Sequence, residues 1–147
     1  MKLSTALLFA AIVVAGLFFA VMRPPESRFG DVLEPEELSR MLAGAAPRSV
    51  PVLIYVHADW CADCPDFESR MREPDLEKSF QRFAKYHYNA TSAAAWPPLA
   101  ALGIESVPAL IAIEYADGRA QAPVRRVLAA YSRIPVSALK SFLETKP

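Results

Sequence analysis

The sequence predicts an α/β fold in which a mixed central sheet is flanked by helices, preceded by an N-terminal transmembrane helix. Three observations lead there. Helix-like and strand-like stretches alternate after residue 29. The stretch 50–58, "VPVLIYVHA", is too uniformly apolar for an edge strand and suits a central strand buried on both faces. Residues 3–22 form an uncharged run of 20, which as a helix rising about 1.5 Å per residue just crosses a hydrocarbon core of about 30 Å.

That run reads as an uncleaved signal anchor. A cleaved signal peptide has a shorter apolar centre and a small-residue cleavage site, whereas here Ala20 has the bulky Phe18 two places before it. Lys2 and the terminal amine before the span are nearly balanced by Arg23 and Arg28 after it. Its place at the extreme N-terminus sets the orientation, with the domain outside the cytoplasm. The organisation is then a transmembrane helix over 1–22, a stiff proline-containing linker over 23–28, and one domain over 29–147.

Within the domain, "EPEELSRMLAG" (34–44) predicts a helix with Pro35 in its first turn, Glu36 and Glu37 beside the N-terminal dipole, Leu38, Met41 and Leu42 as the buried stripe, and Gly44 as the stop. The strand of 50–58 follows. "CPDFESRM" (64–71) has helical spacing with Cys64, Phe67 and Met71 on one stripe, and Pro65 restricts the helix start to about Cys61. Pro74 breaks that helix and "PDLEKSFQRF" (74–83) restarts it. Next come a strand in "AKYHYNAT" (84–91), a short helix in "PPLAALGI" (97–104), a strand in "PALIAIEY" (108–115), a turn at Asp117-Gly118 into "APVRRVLAAY" (122–131), and a last helix in "PVSALKSFLE" (135–144).

Sixteen basic and sixteen acidic residues cancel, and no basic run is interleaved with aromatics, so a nucleic-acid surface is not expected. Chemistry concentrates instead in "YVHADWCADCPDFE" (55–68), which holds both cysteines of the chain. A Cys-x-x-Cys at a strand-to-helix junction points to a redox pair. Cys61, at the helix N-terminus where partial positive charge favours the thiolate, is the expected nucleophile. Cys64, on the buried stripe, is the expected resolving thiol.

Two other readings stay open. A structural staple would close so small a loop that it stabilises little. A copper- or zinc-handling module would need more ligands, and the spacing of His57 to Cys61 and Cys64 is not that of a structural zinc site, so neither metal nor cofactor is expected.

Asp59 and Asp63 surround Cys61, and the nearest arginine, Arg70, lies six residues beyond Cys64. Negative charge opposes the thiolate, raises the Cys61 pKa and favours an electron donor. Glu68, one helical turn after Cys64, leans back toward that sulfur and is a candidate proton acceptor for it. His57 is a candidate for packing or for tuning Cys61. Pro108, placed directly before a strand, is a candidate cis-proline, with the Val107 backbone presented to an extended substrate segment.

Trp60-Cys61-Ala62-Asp63-Cys64 resembles the thioredoxin active site, and Ser106-Val107-Pro108 resembles that family's cis-proline loop. "ADWCADCPDFE" and "NAT" (89–91) are more similar still to the C-terminal periplasmic domain of the bacterial membrane thiol:disulfide reductase DsbD, over roughly residues 50 to 145. The resemblance implies a thioredoxin-like fold and adds weight to Glu68, because the DsbD domain has a glutamate at the matching place. One departure stands out: Tyr55 occupies the position of a buried aspartate in the family. With an ordinary pKa of about 10, it cannot replace that acid near neutral pH.

The expected function is a thiol:disulfide oxidoreductase anchored in the bacterial inner membrane by residues 3–22 and facing the periplasm. It would reduce protein disulfides through mixed disulfides on Cys61, with apocytochrome c a candidate substrate. A single span carries no electron pathway, so a separate membrane electron donor is implied. An oxidant or isomerase of the same fold, or a metal-handling or binding module using the same cysteines, are the alternatives.

Overall fold

The computed structural model describes residues 28–45, 49–115, 124–129 and 133–145. The predicted span over residues 3–22 and the predicted turn at Asp117-Gly118 lie outside them. Among the described residues, no helix is long and apolar enough to cross a membrane.

Helix α1 (Pro35–Leu42) has its proline in the first turn, Glu36 and Glu37 beside it, and Leu38, Met41 and Leu42 buried. Gly44 ends it at φ 76°, a left-handed conformation open to a residue without a Cβ. Strand β1 (Val52–His57) is followed by α2 (Cys64–Met71), a 3₁₀ turn over Pro74–Leu76 and α3 (Glu77–Gln81). Then come β2 (Ala84–Asn89), a 3₁₀ turn over Ala93–Ala95, α4 (Trp96–Ala100), β3 (Ala109–Glu114), β4 (Val124–Ala129) and α5 (Val136–Glu144). The strands lie in the order β2-β1-β3-β4. β2 is parallel to β1, and β3 is antiparallel to both β1 and β4.

The apolar run of β1 is explained by this order, since a strand flanked on both sides must cover two helix layers. Val52, Ile54 and Val56 face one layer, packed with Leu38 and Met41 of α1 and Leu99 of α4. The alternate residues Leu53 and Tyr55 face the other, packed with Phe67 and Met71 of α2, Phe80 of α3, and Leu139 and Leu143 of α5. Phe29 is buried in that second layer, with its ring 5.2 Å from Tyr55 and 6.1 Å from Phe80. Arg28 donates to the Met71 carbonyl and pairs with Glu77, so the last residue of the predicted linker is gripped by the domain.

Because β3 runs antiparallel to β1, its first residue, Ala109, pairs with Val56 near the end of β1. Residues leading into β3 therefore share one end of the sheet with residues following β1. At the opposite end of β3, Glu114 is buried between two arginines, accepting from Arg82 at 3.1 Å and from Arg126 at 2.6 Å.

Candidate active site

Cys61 and Cys64 are joined as a disulfide in the turn between β1 and α2. Successive turn bonds, from the Cys61 N–H to the Ala58 carbonyl and from the Cys64 N–H to the Cys61 carbonyl, carry the chain to the helix. The sequence expectation that the helix starts at about Cys61 is corrected here, since α2 begins at Cys64 with Asp63 as its N-cap. A proline in the first turn is compatible with several start points. These turn bonds choose the later one, and the first bond of helical span runs from the Phe67 N–H to the Asp63 carbonyl. Cys61 thus lies just outside the helix N-terminus and is half-buried, while Cys64 at the first helical position is 7% exposed. Of the pair, Cys61, the expected nucleophile, is the more exposed residue, and Cys64, the expected resolving thiol, is the more buried.

Strand periodicity decides what surrounds the pair. Tyr55 and His57 point to the face covered by α2. The parallel register sets His87 opposite Tyr55 and Asn89 opposite His57, on the same face. A cleft of about 310 Å³ results, lined by Tyr55, His57, Asp59, both cysteines, Glu68 and His87. The tyrosine hydroxyl donates to the Cys64 carbonyl at 3.3 Å. Burial first, and the Glu68 carboxylate second, push the Tyr55 hydroxyl well above its ordinary pKa, so this group keeps its proton at neutral pH.

His57 stacks on Tyr55 at 5.3 Å between ring centroids and meets His87 edge to edge, Nε2 to Nδ1, at 3.0 Å. Burial, then the neighbouring His87, lower its pKa below the ordinary histidine value, with Glu68 and Asp59 pulling the other way. The consequence for stability is a loss as pH falls from about 6.5 toward the folded value, because the unfolded chain takes up this proton before the folded one does. Denaturation midpoints of His57→Phe against pH should be flatter over that window than those of the native chain. Equal slopes would show that His57 is not held neutral.

The sequence-singled residues do not all meet. Trp60 and Asp63 are exposed beside the cleft, outside its lining, and Asp63 makes no side-chain cap bond to α2. The Val107–Pro108 peptide is cis, as its place before β3 suggested. Pro108 is buried and Val107 half-buried at the same end of the sheet, but neither lines the cleft. Among the described residues no group of three or more histidines, cysteines and carboxylates is arranged to hold a metal ion.

Besides His87, three residues enter that the sequence reading gave no role. Asn89 Nδ2 donates to Asp59 Oδ1 at 3.1 Å, and the Asp59 N–H donates to Thr91 Oγ1 at 2.8 Å, so the "NAT" stretch buckles the turn that carries the cysteines. Trp96 donates from Nε1 to the Ala90 carbonyl at 3.0 Å and stacks on Trp60 at 6.4 Å. The "NAT" stretch was the available signal, since it closes a strand whose alternate side chains face the same way as those of β1.

No protein-family model matches the chain, and no curated protein is similar to it in sequence. Solved structures do match in shape. A thioredoxin-like protein, Trxlp, from Edwardsiella tarda is 22% identical at a TM-score of 0.51, covering 77% of this chain and 96% of its own. The reduced DsbD C-terminal domain of Neisseria meningitidis is 17% identical at a TM-score of 0.53, over 77% and 96%. A Trichomonas vaginalis thioredoxin is 17% identical at 0.53, over 81% and 97%. With such neighbours, the four-stranded sheet and the cis peptide before β3, this chain has the thioredoxin-like fold, and it places the Cys61–Cys64 disulfide at the end of β1.

Proposed function

We propose that this protein is a membrane-anchored thiol:disulfide oxidoreductase that reduces protein disulfides on the periplasmic side of a bacterial inner membrane. The observation that carries the exchange chemistry is the Cys61–Cys64 disulfide, with one sulfur accessible and its partner buried at the rim of a cleft. In the reductive direction, a Cys61 thiolate attacks a substrate disulfide and releases one substrate thiolate. Cys64 then attacks Cys61 and releases the second. Glu68, in the cleft wall, is the proposed acceptor of the Cys64 proton. The cis Val107–Pro108 segment at the same end of the sheet is the proposed platform for an extended substrate strand.

The reductive direction is supported by charge. Asp59 and Glu68 line the cleft, Asp63 lies beside it, and among the described residues no lysine or arginine lines it. Carboxylates around an emerging thiolate disfavour it relative to the neutral thiol, which favours the donor role.

Anchoring is supported by the apolar run of residues 3–22. With Arg28 held to Met71 and Glu77, only residues 23–27 separate that run from the domain, a reach of about 20 Å when fully extended. Substrates and the separate electron donor would then be met close to the bilayer. Equilibrating the full chain with glutathione tests the direction. A potential below about −230 mV supports the donor, and one near −120 mV would overturn it in favour of an oxidant.

A further inference from the structure

In thiol–disulfide exchange the buried thiol must lose a proton before it can attack, and the released substrate thiolate must gain one. Tyr55 of β1, whose hydroxyl donates to the Cys64 carbonyl, keeps its proton. What the cleft does hold is two imidazoles in direct contact. His57 and His87 lie diagonally on neighbouring parallel strands, because β1 and β2 pair with Tyr55 opposite His87 and His57 opposite Asn89. Their rings are 14° from coplanar with centroids 5.3 Å apart, and Nε2 of one is 3.0 Å from Nδ1 of the other. Both rings line the cleft that both cysteines line.

We infer that His57 and His87 act as one proton-holding unit for the exchange reaction, storing the proton that leaves Cys64 and returning it to the departing substrate thiolate. The inference rests on the oxidoreductase reading above and deepens it. An N–H of one ring bonded to a bare nitrogen of the other leaves an outer nitrogen on each ring. A proton taken up at one outer nitrogen can therefore leave from the other after a shift along the shared bond. Imidazole suits the task because its proton affinity lies near neutral pH.

The mixed disulfide of Cys61 with substrate and the Cys64 thiol become the Cys61–Cys64 disulfide and a substrate thiolate. The Cys64 proton passes by way of Glu68 to the imidazole pair, which becomes singly positive. That proton then goes to the substrate thiolate, giving a neutral thiol and restoring the neutral pair. Two electrons move from the enzyme dithiol to the substrate disulfide, and no other oxidant or reductant is used.

The groups facing the pair set its charge. At His57, Glu68 of α2 and Asp59 of the turn favour the positive state, burial and the neighbouring His87 oppose it, and Tyr55 stacks beneath the ring. An empty pair ready to accept is the resting condition, since His57 is held neutral by burial and by its partner ring.

The test uses the full chain in detergent, reduced, with a model peptide carrying one intramolecular disulfide as the probe. His57→Phe, His87→Phe and the double variant keep a flat ring at each position and remove its nitrogens. Stopped-flow mixing followed by acid quench separates capture of the peptide on Cys61 from its release by Cys64. Capture should stay within about twofold of the native chain, and release at pH 7 should slow at least tenfold, against the roughly 10²–10⁴ that positioned acid–base groups contribute. The double variant should be no slower than either single one, because the rings act as a unit. The deficit should close toward pH 9 as hydroxide takes over. A release rate equal to the native one at pH 7, or a deficit unchanged across pH, overturns the relay.

Should the variants unfold, nitrogen–proton NMR of the native histidines decides. One coupled titration of the two rings supports the unit, and two independent titrations overturn it. If the native chain captures no peptide at all, the oxidoreductase reading itself falls. Native capture with variant release at the native rate removes the relay alone.

Discussion

Cys64→Ala protein, reduced and mixed with oxidised periplasmic extract, should accumulate disulfide-linked complexes held on Cys61. Turnover of any disulfide substrate should fall by at least 10³-fold. Cys61 is half-buried, whereas Cys64 is 7% exposed on the buried side of α2 that also carries Phe67 and Met71. Removing the buried thiol leaves the first attack intact and abolishes the second, so the intermediate has no route forward. Cys61→Ala should give neither complexes nor turnover. Dithiothreitol should release the captured proteins, and mass spectrometry would identify them. Recovery of complexes with Cys61→Ala instead would reverse the two roles, and recovery with neither variant would remove the exchange function.

The second large effect lies at the opposite end of the sheet. Glu114→Ala should destabilise the fold by about 3–5 kcal/mol, the range for removing one member of a buried ion pair, and lower the melting temperature by roughly 10–25 °C. Glu114 is 5% exposed at the end of β3 and joins Arg82 of the α3–β2 connection to Arg126 of β4. Those guanidiniums also cap the end of α5. Arg82 donates to the Leu143 carbonyl at 3.0 and 2.6 Å and to that of Thr145 at 3.2 Å, and Arg126 donates to the Phe142 carbonyl. Without the carboxylate, two half-buried cations would face each other across a gap. The Nε of Arg126 already lacks a partner among the described residues, so the network has little slack. Urea unfolding of the full chain measures the effect, and a loss below about 1 kcal/mol would mean that the three charges behave as a solvated surface cluster. Exchange at the cysteines should persist in the folded fraction, because β3 separates Glu114 from the cleft by its whole length.

The element order was legible because each signal was local. Gly44 and Pro35 bracket α1, the apolar run of β1 is long enough to be interior, and Cys64, Phe67 and Met71 keep helical spacing. The cysteine pairing, the place of Glu68 one turn after Cys64 in the cleft and the cis-proline position were legible for the same reason. The His57–His87 contact was not, because it depends on which strand pairs with β1, in which direction and in which register. No periodicity within "YVHA" or "YHYN" carries that information. The helix start was misplaced by three residues because a first-turn proline bounds the start without fixing it. The Glu114 network was equally hidden, joining residues 32 and 12 apart in sequence whose charges look like ordinary surface groups until the strands are laid side by side.

The chain has two tryptophans, and both stand at one place: Trp60, 59% exposed one residue before Cys61, and Trp96, stacked on it and hydrogen-bonded to the loop after β2. Its ultraviolet emission is therefore a report from the redox end of the molecule alone. Opening or closing of the disulfide should be visible without any label, whereas fraying of α5 around Arg82 and Glu114 should pass unseen by that light until the whole domain gives way.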